Sequence, residues 1–563
     1  MRRWNGWGDE RVNFQLPATA IRFLCSKIGT AAPLKNCSIN EALSNVPASR
    51  LPKHPLISRE KNVRLMHARG QSLPDWLAMH SGQVHPVPDG VAFPKSHTDV
   101  QLLLEWAANK QCLVIPYGGG TSVVGHLTPL DIDRPILTIA MSRMESLLIL
   151  DKESQLATIG AGATGPKIEA QLKRHGFVLG HYPQSFEYST LGGWVATRSS
   201  GQQSLRYGRI EQLFAGAKLA TPSGAVEIPC FPASAAGPDL REMVLGSEGR
   251  LGVLTEVTVR VQRKPRREQF YVAFFGDWNS ALQCVRELVQ RRVGVSMLRL
   301  GNPIETDTML SLSSHRAMVA VLEKYLFIRG LRRERCMLTF GVTGEKAECE
   351  FIFRQAAAEI KKHSGFLTNS FLGRQWQKSR YRYPYLRNSA WDKGYVVDTL
   401  ETAVNWSRVT KTMMAVEDGL KNGLSTVGEK VHAFSHLSHL YPQGSSIYIT
   451  FLFRVGNTYE ETLERWKSLK SIACRIIQEH HGTISHQHGV GIEHASYFAR
   501  EKGVAGMQAI SEVFKIFDPD DMLNNGNLTF NASRLKPGRV MLPFGDEQDH
   551  VSSSSVSAYS VSP

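Results

Sequence analysis

Three consecutive glycines, Gly118, Gly119 and Gly120, end the apolar run Leu113-Val-Ile-Pro-Tyr and open onto Thr121-Ser122, and this stretch constrains the chain most. A short β-branched run that stops in bare backbone reads as a buried strand feeding a tight turn. Without Cβ atoms, several N–H groups can converge on one anion, and the Thr121 and Ser122 hydroxyls add donors. The two common phosphate fingerprints fail here. No Lys-Ser/Thr follows at P-loop spacing, and the third glycine of the dinucleotide pattern is missing after Gly118 and Gly120. A nucleotide bound at this turn is therefore held by some other fold.

Similar punctuation recurs downstream. Thr164 is placed to cap a helix with Pro166 in its first turn, Ile168 and Leu172 on one face and a stop near Gly176. After it come Tyr182-Pro-Gln-Ser-Phe-Glu-Tyr-Ser-Thr-Leu-Gly-Gly-Trp, Thr197-Arg-Ser-Ser-Gly and Leu245-Gly-Ser-Glu-Gly-Arg-Leu-Gly-Val-Leu. Turns this rich in Gly, Ser and Thr exceed what loop composition alone produces. Upstream, a helix is expected with Leu102, Leu103 and Trp106 on its apolar face. Beyond Lys264-Pro265, strand–helix passages follow: Phe270 to Phe275 before 278–292, Met297 to Leu300, Met337 to Val342 before 346–363, and Ser446 to Phe453 before 458–480. A mixed sheet with helices on one side is the natural packing for these, within an α+β chain.

The 563 residues exceed what one small core needs, and an excess of 66 Lys+Arg over 51 Asp+Glu favours anionic ligands or surfaces without choosing among them. No zinc-finger, basic-zipper or RNP module is present, so nucleic acid is not expected. The eight cysteines are scattered with no Cys-x-x-Cys, which argues against a metal site or a disulfide framework and for a reducing compartment. With no apolar run of membrane-span length and no secretory core, a soluble cytoplasmic protein is the expectation.

The stretches noted so far join others in a specific order. They are Trp4-Asn-Gly-Trp-Gly, Pro116-Tyr-Gly-Gly-Gly-Thr-Ser, Glu187-Tyr-Ser-Thr-Leu-Gly-Gly-Trp, Gly246-Ser-Glu-Gly-Arg-Leu-Gly-Val, Tyr385-Leu-Arg, Ile447-Tyr448, Ile484-Ser-His-Gln-His-Gly-Val-Gly and Asp518-Pro-Asp-Asp-Met-Leu-Asn-Asn-Gly-Asn-Leu. In this order they resemble FAD-linked oxidases of the vanillyl-alcohol-oxidase (PCMH) type and, within them, the alkyldihydroxyacetonephosphate synthase family.

The resemblance implies a two-part FAD-binding domain at 86–262 and a cap domain at 263–480 whose sheet covers the flavin. An N-terminal extension would occupy 1–85, with the Trp4–Trp7 stretch docked on the body. A C-terminal segment at 481–535 would return the histidine motif to the flavin, before a disordered tail at 536–563. FAD contacts would fall on Pro116, Tyr117, Gly118, Gly119, Gly120, Thr121 and Ser122. The second loop would supply Gln184, Ser185, Phe186, Glu187, Tyr188, Ser189 and Thr190; the third, Thr197, Arg198, Ser199 and Ser200; the fourth, Glu248, Gly249, Arg250, Leu251, Gly252, Val253 and Leu254.

The implied activity is exchange of the acyl group of acyl-dihydroxyacetone phosphate for a fatty alcohol, with the glycerone carbon held on flavin N5 and no net redox, a step of ether-lipid synthesis. By similarity Tyr448 is the base, Arg387 the catalytic and substrate-binding arginine, and Arg299 a further substrate-binding arginine. The family carries three consecutive histidines where this chain reads His486-Gln487-His488. Glutamine cannot exchange a proton near neutral pH, so either His486 or His488 serves as acid or the reaction differs.

The alternative implied by the wider superfamily is an FAD-linked oxidase or dehydrogenase of a 2-hydroxy acid or related alcohol. A third reading, by composition, is a basic flavin-free binding protein. A small-molecule lipid is the expected partner, with membrane-surface contact and a homodimer left open. The animal-type family is peroxisomal, yet the end Val561-Ser562-Pro563 is not a peroxisomal address.

Each residue also has a plainer reading. Arg299 and Arg387 suit ordinary ion pairs, and Tyr448 suits a core aromatic. His486 and His488, two apart on a strand, would face one side, as metal ligands do, but no third ligand is evident, and no metal is expected. His432, His436 and His439 read as a loop lining the substrate pocket.

Overall fold

In the computed structural model, residues 2–313, 316–332 and 334–529 are described. The chain forms three main sheets. A four-stranded sheet runs in the order Ile57–Ser58, Gly90–Ala92, Ile136–Ala140, Leu113–Tyr117, with the last three strands parallel. Every one of those last three strands is buried on both faces or nearly so, as expected for parallel strands under helices. The first strand comes from the N-terminal 85 residues. Asn524 closes the far edge by donating its N–H to the Val114 carbonyl at 2.8 Å, so the C-terminal segment is woven into this sheet.

A five-stranded antiparallel sheet follows: Leu147–Asp151, Leu156–Gly160, Val253–Arg260, Phe214–Thr221, Gly224–Ile228. The turn at 118–122 follows the strand Leu113–Tyr117 of the first sheet, and the turn at 248–252 precedes the strand Val253–Arg260 of the second. On the helix His97–Asn109, Val100, Leu103, Leu104 and Ala107 are buried while Leu102 is 56% exposed. The inward stripe is rotated by one position from the expected one, because it packs against strands of both sheets.

The cap sheet has seven strands in the order Phe366–Leu367, Arg267–Phe275, Cys336–Gly344, Met297–Gly301, His432–Leu437, Gly444–Arg454, Tyr395–Asn405. Each neighbouring pair is antiparallel, where a mixed sheet was expected. Long loops and helices inserted between the strands let them return in either direction, and the strand–helix alternation in the sequence does not reveal which. Helices Trp278–Gln290, Lys346–Lys362, Val409–Asn422 and Tyr459–Glu479 cover one side of this sheet. The first buries Ala281, Cys284, Val285 and Leu288 as one stripe.

The histidines expected in a loop lie largely on a strand: His432 and His436 belong to His432–Leu437, and His439 follows it. Conversely, His486 and His488 sit in an irregular segment between two helices, not on a strand. Gly489 and Gly491 there adopt positive φ, which breaks any ladder. Trp7 docks as anticipated: its N–H donates to Asn388 Oδ1 at 2.9 Å, and Asn388 Nδ2 donates back to the Trp7 carbonyl at 2.9 Å. The expected tail at 536–563 lies outside the described residues. Among the described residues no helix is long and apolar enough to cross a membrane, and all eight cysteines are unpaired.

Candidate active site

Between the glycine-rich loops and the cap sheet lies a cavity of about 460 Å³. Its size is that of an ordinary small-ligand or cofactor site. One wall is Pro116 to Val123 with Gln184, Ser185, Ser189, Thr190, Thr197, Ser199, Ser200 and Glu248. The opposite wall carries Arg299, Arg387, Asp398, Thr399, His436, Tyr448 and His488.

The loop wall fits a phosphorylated cofactor by an observation of its own. Among the described residues, none of the N–H groups of Gly118 through Ser122 has a hydrogen-bond acceptor, although all five residues line the cavity. Such a row of free donors is an anion cradle. A Cβ on Gly118 would collide with Thr190 Oγ1 and one on Gly119 with the Tyr188 carbonyl, so the loops can approach this closely only through glycine. Thr190 Oγ1 is buried without a hydrogen-bond partner among the described residues.

Behind this wall Glu248 joins three segments. Its carboxylate accepts from the N–H groups of Val490 (2.6 Å) and Gly491 (2.8 Å) and lies 3.1 Å from His126 Nε2, while Asn524 Nδ2 donates to its carbonyl at 2.6 Å. His126 Nδ1 in turn contacts Ser122 Oγ at 2.8 Å.

Some expected contacts are displaced. Phe186, Glu187, Tyr188, Arg198, Arg250 and Leu251 do not line the cavity. Phe186 stacks on Tyr381, Tyr188 meets the Tyr385 hydroxyl at 3.0 Å, and Leu251 is core. Arg198 pairs with Glu242 at 2.7 Å, and Arg250 with Asp521 at 2.8 Å. Glu187 is exposed to solvent, outside the cavity. Phe186, Tyr188, Arg250 and Leu251 are thus used in packing and pairing behind the wall, while Glu187 and the Arg198–Glu242 pair lie toward solvent.

On the cap wall, cross-strand register sets the chemistry. His436 lies opposite Tyr448, and Tyr448 opposite Glu401, so the three side chains form a row on one face of the sheet. His436 stacks on the Tyr448 ring at 5.0 Å between centroids, and His488 meets it edge-on at 5.6 Å. The Tyr448 hydroxyl donates to Thr399 Oγ1 at 3.2 Å. Burial pushes its ionisation far up, and the Glu401 and Asp398 carboxylates add to the effect, so it stands as a neutral phenol.

Glu401, absent from the sequence reading, anchors the histidine segment. One carboxylate oxygen accepts from the N–H groups of Gln487 and His488, both at 2.7 Å, and lies 3.4 Å from His488 Nδ1. Burial alone would raise its pKa, but the neighbouring His488 and His486 and these hydrogen bonds hold it well below the usual carboxylate range.

His486 lies behind the wall. Its Nε2 accepts from Arg209 at 2.8 Å and faces the Tyr441 hydroxyl at 2.6 Å. Its proton therefore sits on Nδ1, turned toward Glu401, away from the cavity. Of the two candidate acids only His488 reaches the cavity. Gln487 lines it too, with a buried Oε1 that has no partner among the described residues.

Arg299 is ion-paired with buried Glu305 at 2.8 Å. Arg387 differs. Its guanidinium lies 4.2 Å from the Trp76 ring centroid and Nη1 donates to the Gln71 carbonyl, while Nη2 is buried with no acceptor. Among the described residues no carboxylate forms an ion pair with it, and burial lowers its pKa. A cation held this way is short of one anion. Trp76 and Gln71, both from the N-terminal segment, were not anticipated as its supports.

The chain matches the family model for an FAD binding domain over residues 88–228 and the model for the C-terminal domain of FAD linked oxidases over residues 264–528. It belongs to the FAD-linked oxidases. The alkyldihydroxyacetonephosphate synthase of Dictyostelium discoideum is 29% identical, with 93% of this chain and 92% of that protein aligned. The enzyme of the same name from Trypanosoma brucei brucei gives the same identity and coverage. This FAD-linked oxidase is also 25% identical to the mitochondrial cytochrome-type D-lactate dehydrogenase of Arabidopsis thaliana, over 78% of this chain and 73% of that one. Among solved structures, one of an alkyldihydroxyacetonephosphate synthase superposes with a TM-score of 0.80 at 27% identity, covering 93% of this chain and 98% of the other. A p-cresol methylhydroxylase shares the fold, with a TM-score of 0.64 at 11% identity.

Proposed function

We propose that this FAD-linked oxidase is an alkylglycerone-phosphate synthase, exchanging the acyl group of acyl-dihydroxyacetone phosphate for a fatty alcohol. The observation that carries this reading is the set of side chains that line the cavity with Arg387. There Leu16, Leu24, Met309, Leu312, Phe434 and Leu452 line an apolar arm, so an unpaired buried cation and a chain-binding surface share one space. A lipid with an anionic head satisfies both. A small 2-hydroxy acid satisfies only the cation and leaves the arm empty.

The loop residues Gly118 to Ser122 would hold the diphosphate of FAD, with Thr190 Oγ1 a further donor. When bound, the flavin supplies an electron-accepting ring beside the cap wall. The protein's own residues do the rest. Arg387 binds the phosphate or carboxylate through its free edge, a planar fork suited to either. Tyr448, a phenol at neutral pH, can accept a proton only while giving up its own, and His488 with Glu401 behind it stands at its edge to receive that proton. Gln487 offers the substrate a hydrogen bond and no proton.

Exposed Val321, Phe327 and Ile328 on the helix Arg316–Ile328, followed by exposed Arg329 and Arg332, support contact with an anionic membrane surface. The unpaired cysteines support a reducing compartment such as the cytoplasm.

The test is incubation of the yellow holoenzyme with acyl-glycerone phosphate and labelled hexadecanol. Labelled ether product with equimolar free fatty acid is expected. Absence of both, with anaerobic bleaching of the flavin by a 2-hydroxy acid, would instead establish the dehydrogenase reading.

A further inference from the structure

His436 and Glu305 form a second imidazole–carboxylate pair in the cavity, outside every motif the sequence singled out for catalysis. His436 Nδ1 lies 2.8 Å from Glu305 Oε1. Glu305 is 1% exposed and sits in the first turn of the helix Pro303–Leu312, where Asn302 caps the helix by accepting the Glu305 N–H at 2.8 Å. Asn302 is itself held by Glu417 at 2.7 Å. A Cβ on Gly301 would fall 2.5 Å from Glu305 Oε2, so this carboxylate can lie flat against the strand only beside glycine. The support is therefore rigid from both sides.

The protonation pattern follows from the partners. Glu305 also accepts from Arg299 Nη2 at 2.8 Å, and the cation with the imidazole holds its carboxyl down at about 2 despite complete burial. An ionised Glu305 must receive the Nδ1 proton of His436. Arg299 Nη2, 3.2 Å from the same Nδ1, therefore makes a close approach and no hydrogen bond. Nε2 is left as the basic nitrogen, with no hydrogen-bond partner among the described residues, on a ring that lines the cavity. The ionisable groups around the ring are Arg299 and Glu305 at its Nδ1 edge, Tyr448 stacked on it, Glu401 and His488 beyond, and His439 on the adjoining turn. Desolvation and Arg299 outweigh the carboxylates and lower the His436 pKa, so the imidazole is neutral at pH 7.

We propose that His436 is a catalytic base of this site, taking the hydroxyl proton of the incoming alcohol, with Glu305 as its positioning residue. The inference rests on the synthase reading. In the step, the alcohol O–H bond breaks and its proton moves to His436 Nε2. The alcohol oxygen bonds to the glycerone carbon from which the carboxylate has departed with its bonding pair. The imidazolium, stabilised by Glu305, then gives its proton to water, so that the departed fatty carboxylate, a solvated proton and the ether are the products. This assignment gives the chain a proton carrier that compensates for Gln487, which cannot serve as one.

The test compares wild type with His436→Gln in two measurements on the FAD-loaded enzyme: single-turnover release of fatty acid from acyl-glycerone phosphate, and ether formation with hexadecanol or with the more acidic 2,2-difluorohexadecan-1-ol. The variant is expected to release fatty acid at the wild-type rate and to form ether from hexadecanol about a hundredfold more slowly. With the fluorinated alcohol, which needs less help to lose its proton, the deficit should shrink to about tenfold or less. Glu305→Gln should show the same dependence on alcohol acidity, and it decides the matter if His436→Gln fails to retain FAD. Equal loss in both half-reactions, or a deficit that ignores alcohol acidity, would overturn the proposal while leaving the synthase reading intact. A wild-type enzyme that makes no ether removes both.

Discussion

Replacing Arg387 by methionine separates a binding role from a structural one, because the two make opposite predictions. Methionine keeps the length and apolar stem that pack on Trp76 and removes the charge. In the protein without substrate, the guanidinium is desolvated, its Nη1 satisfied by the Gln71 carbonyl and its Nη2 by nothing. Deleting such a group removes an uncompensated burial cost, so thermal stability should stay level or rise. With substrate bound, the same edge makes one or two charge-assisted hydrogen bonds, each worth about 1.5–3 kcal/mol. Loss of about 3–4 kcal/mol lowers kcat/KM by about two to three orders of magnitude. Steady-state kinetics in acyl-glycerone phosphate and a melting curve on the same preparation measure both. If Arg387→Met melts well below wild type while KM is unchanged, the guanidinium is a structural brace of the N-terminal segment and the binding argument is wrong.

Tyr448→Phe removes the hydroxyl bonded to Thr399 and should reduce turnover at least about a hundredfold with the flavin spectrum retained, since the ring still stacks on His436; loss of FAD would show the role misassigned. Gly119→Ala drives a methyl into the Tyr188 carbonyl and should yield protein that loses FAD on gel filtration, whereas retention of full yellow colour would mean that the two loops are not fixed against each other. Glu493 is buried beside Lys470, its carboxyl raised from 4.5 to about 8, chiefly by desolvation. Lys470 is held protonated between Asp398 and Glu493, Asp398 accepts from Trp466 Nε1 at 2.6 Å, and Glu493 keeps its proton near neutral pH. A folded pKa above the unfolded one gives stability that is complete below about 4.5 and lost as pH rises through about 8. Melting temperature should therefore fall more steeply from pH 6.5 to 9 in wild type than in Glu493→Gln, and parallel curves would refute the assignment.

The cofactor side of this site was legible in the sequence because its requirements are local. An anion cradle needs consecutive N–H groups and no Cβ, and those demands are met by neighbours such as Gly118, Gly119 and Gly120. The residues that face away, Phe186 or Arg250 among them, could not be told from their neighbours, since which alternate side chain turns inward depends on the sheet beneath. Arg387 and Tyr448 were reached only through the family resemblance; as residues in isolation they looked like an ion-pair partner and a core aromatic.

What the sequence determined by itself, then, was a chain with glycine-built anion turns followed by a strand–helix body. Only the tertiary structure decided the acid–base groups. His436, Tyr448 and Glu401 come from three different strands, and they face one another because antiparallel register places 436 opposite 448 and 448 opposite 401. Glu305 reaches His436 from a helix more than a hundred residues earlier. No local pattern encodes such pairings, because they are set by long-range backbone hydrogen bonds, and the ionisation of each group is set by the burial and charges that those bonds assemble around it.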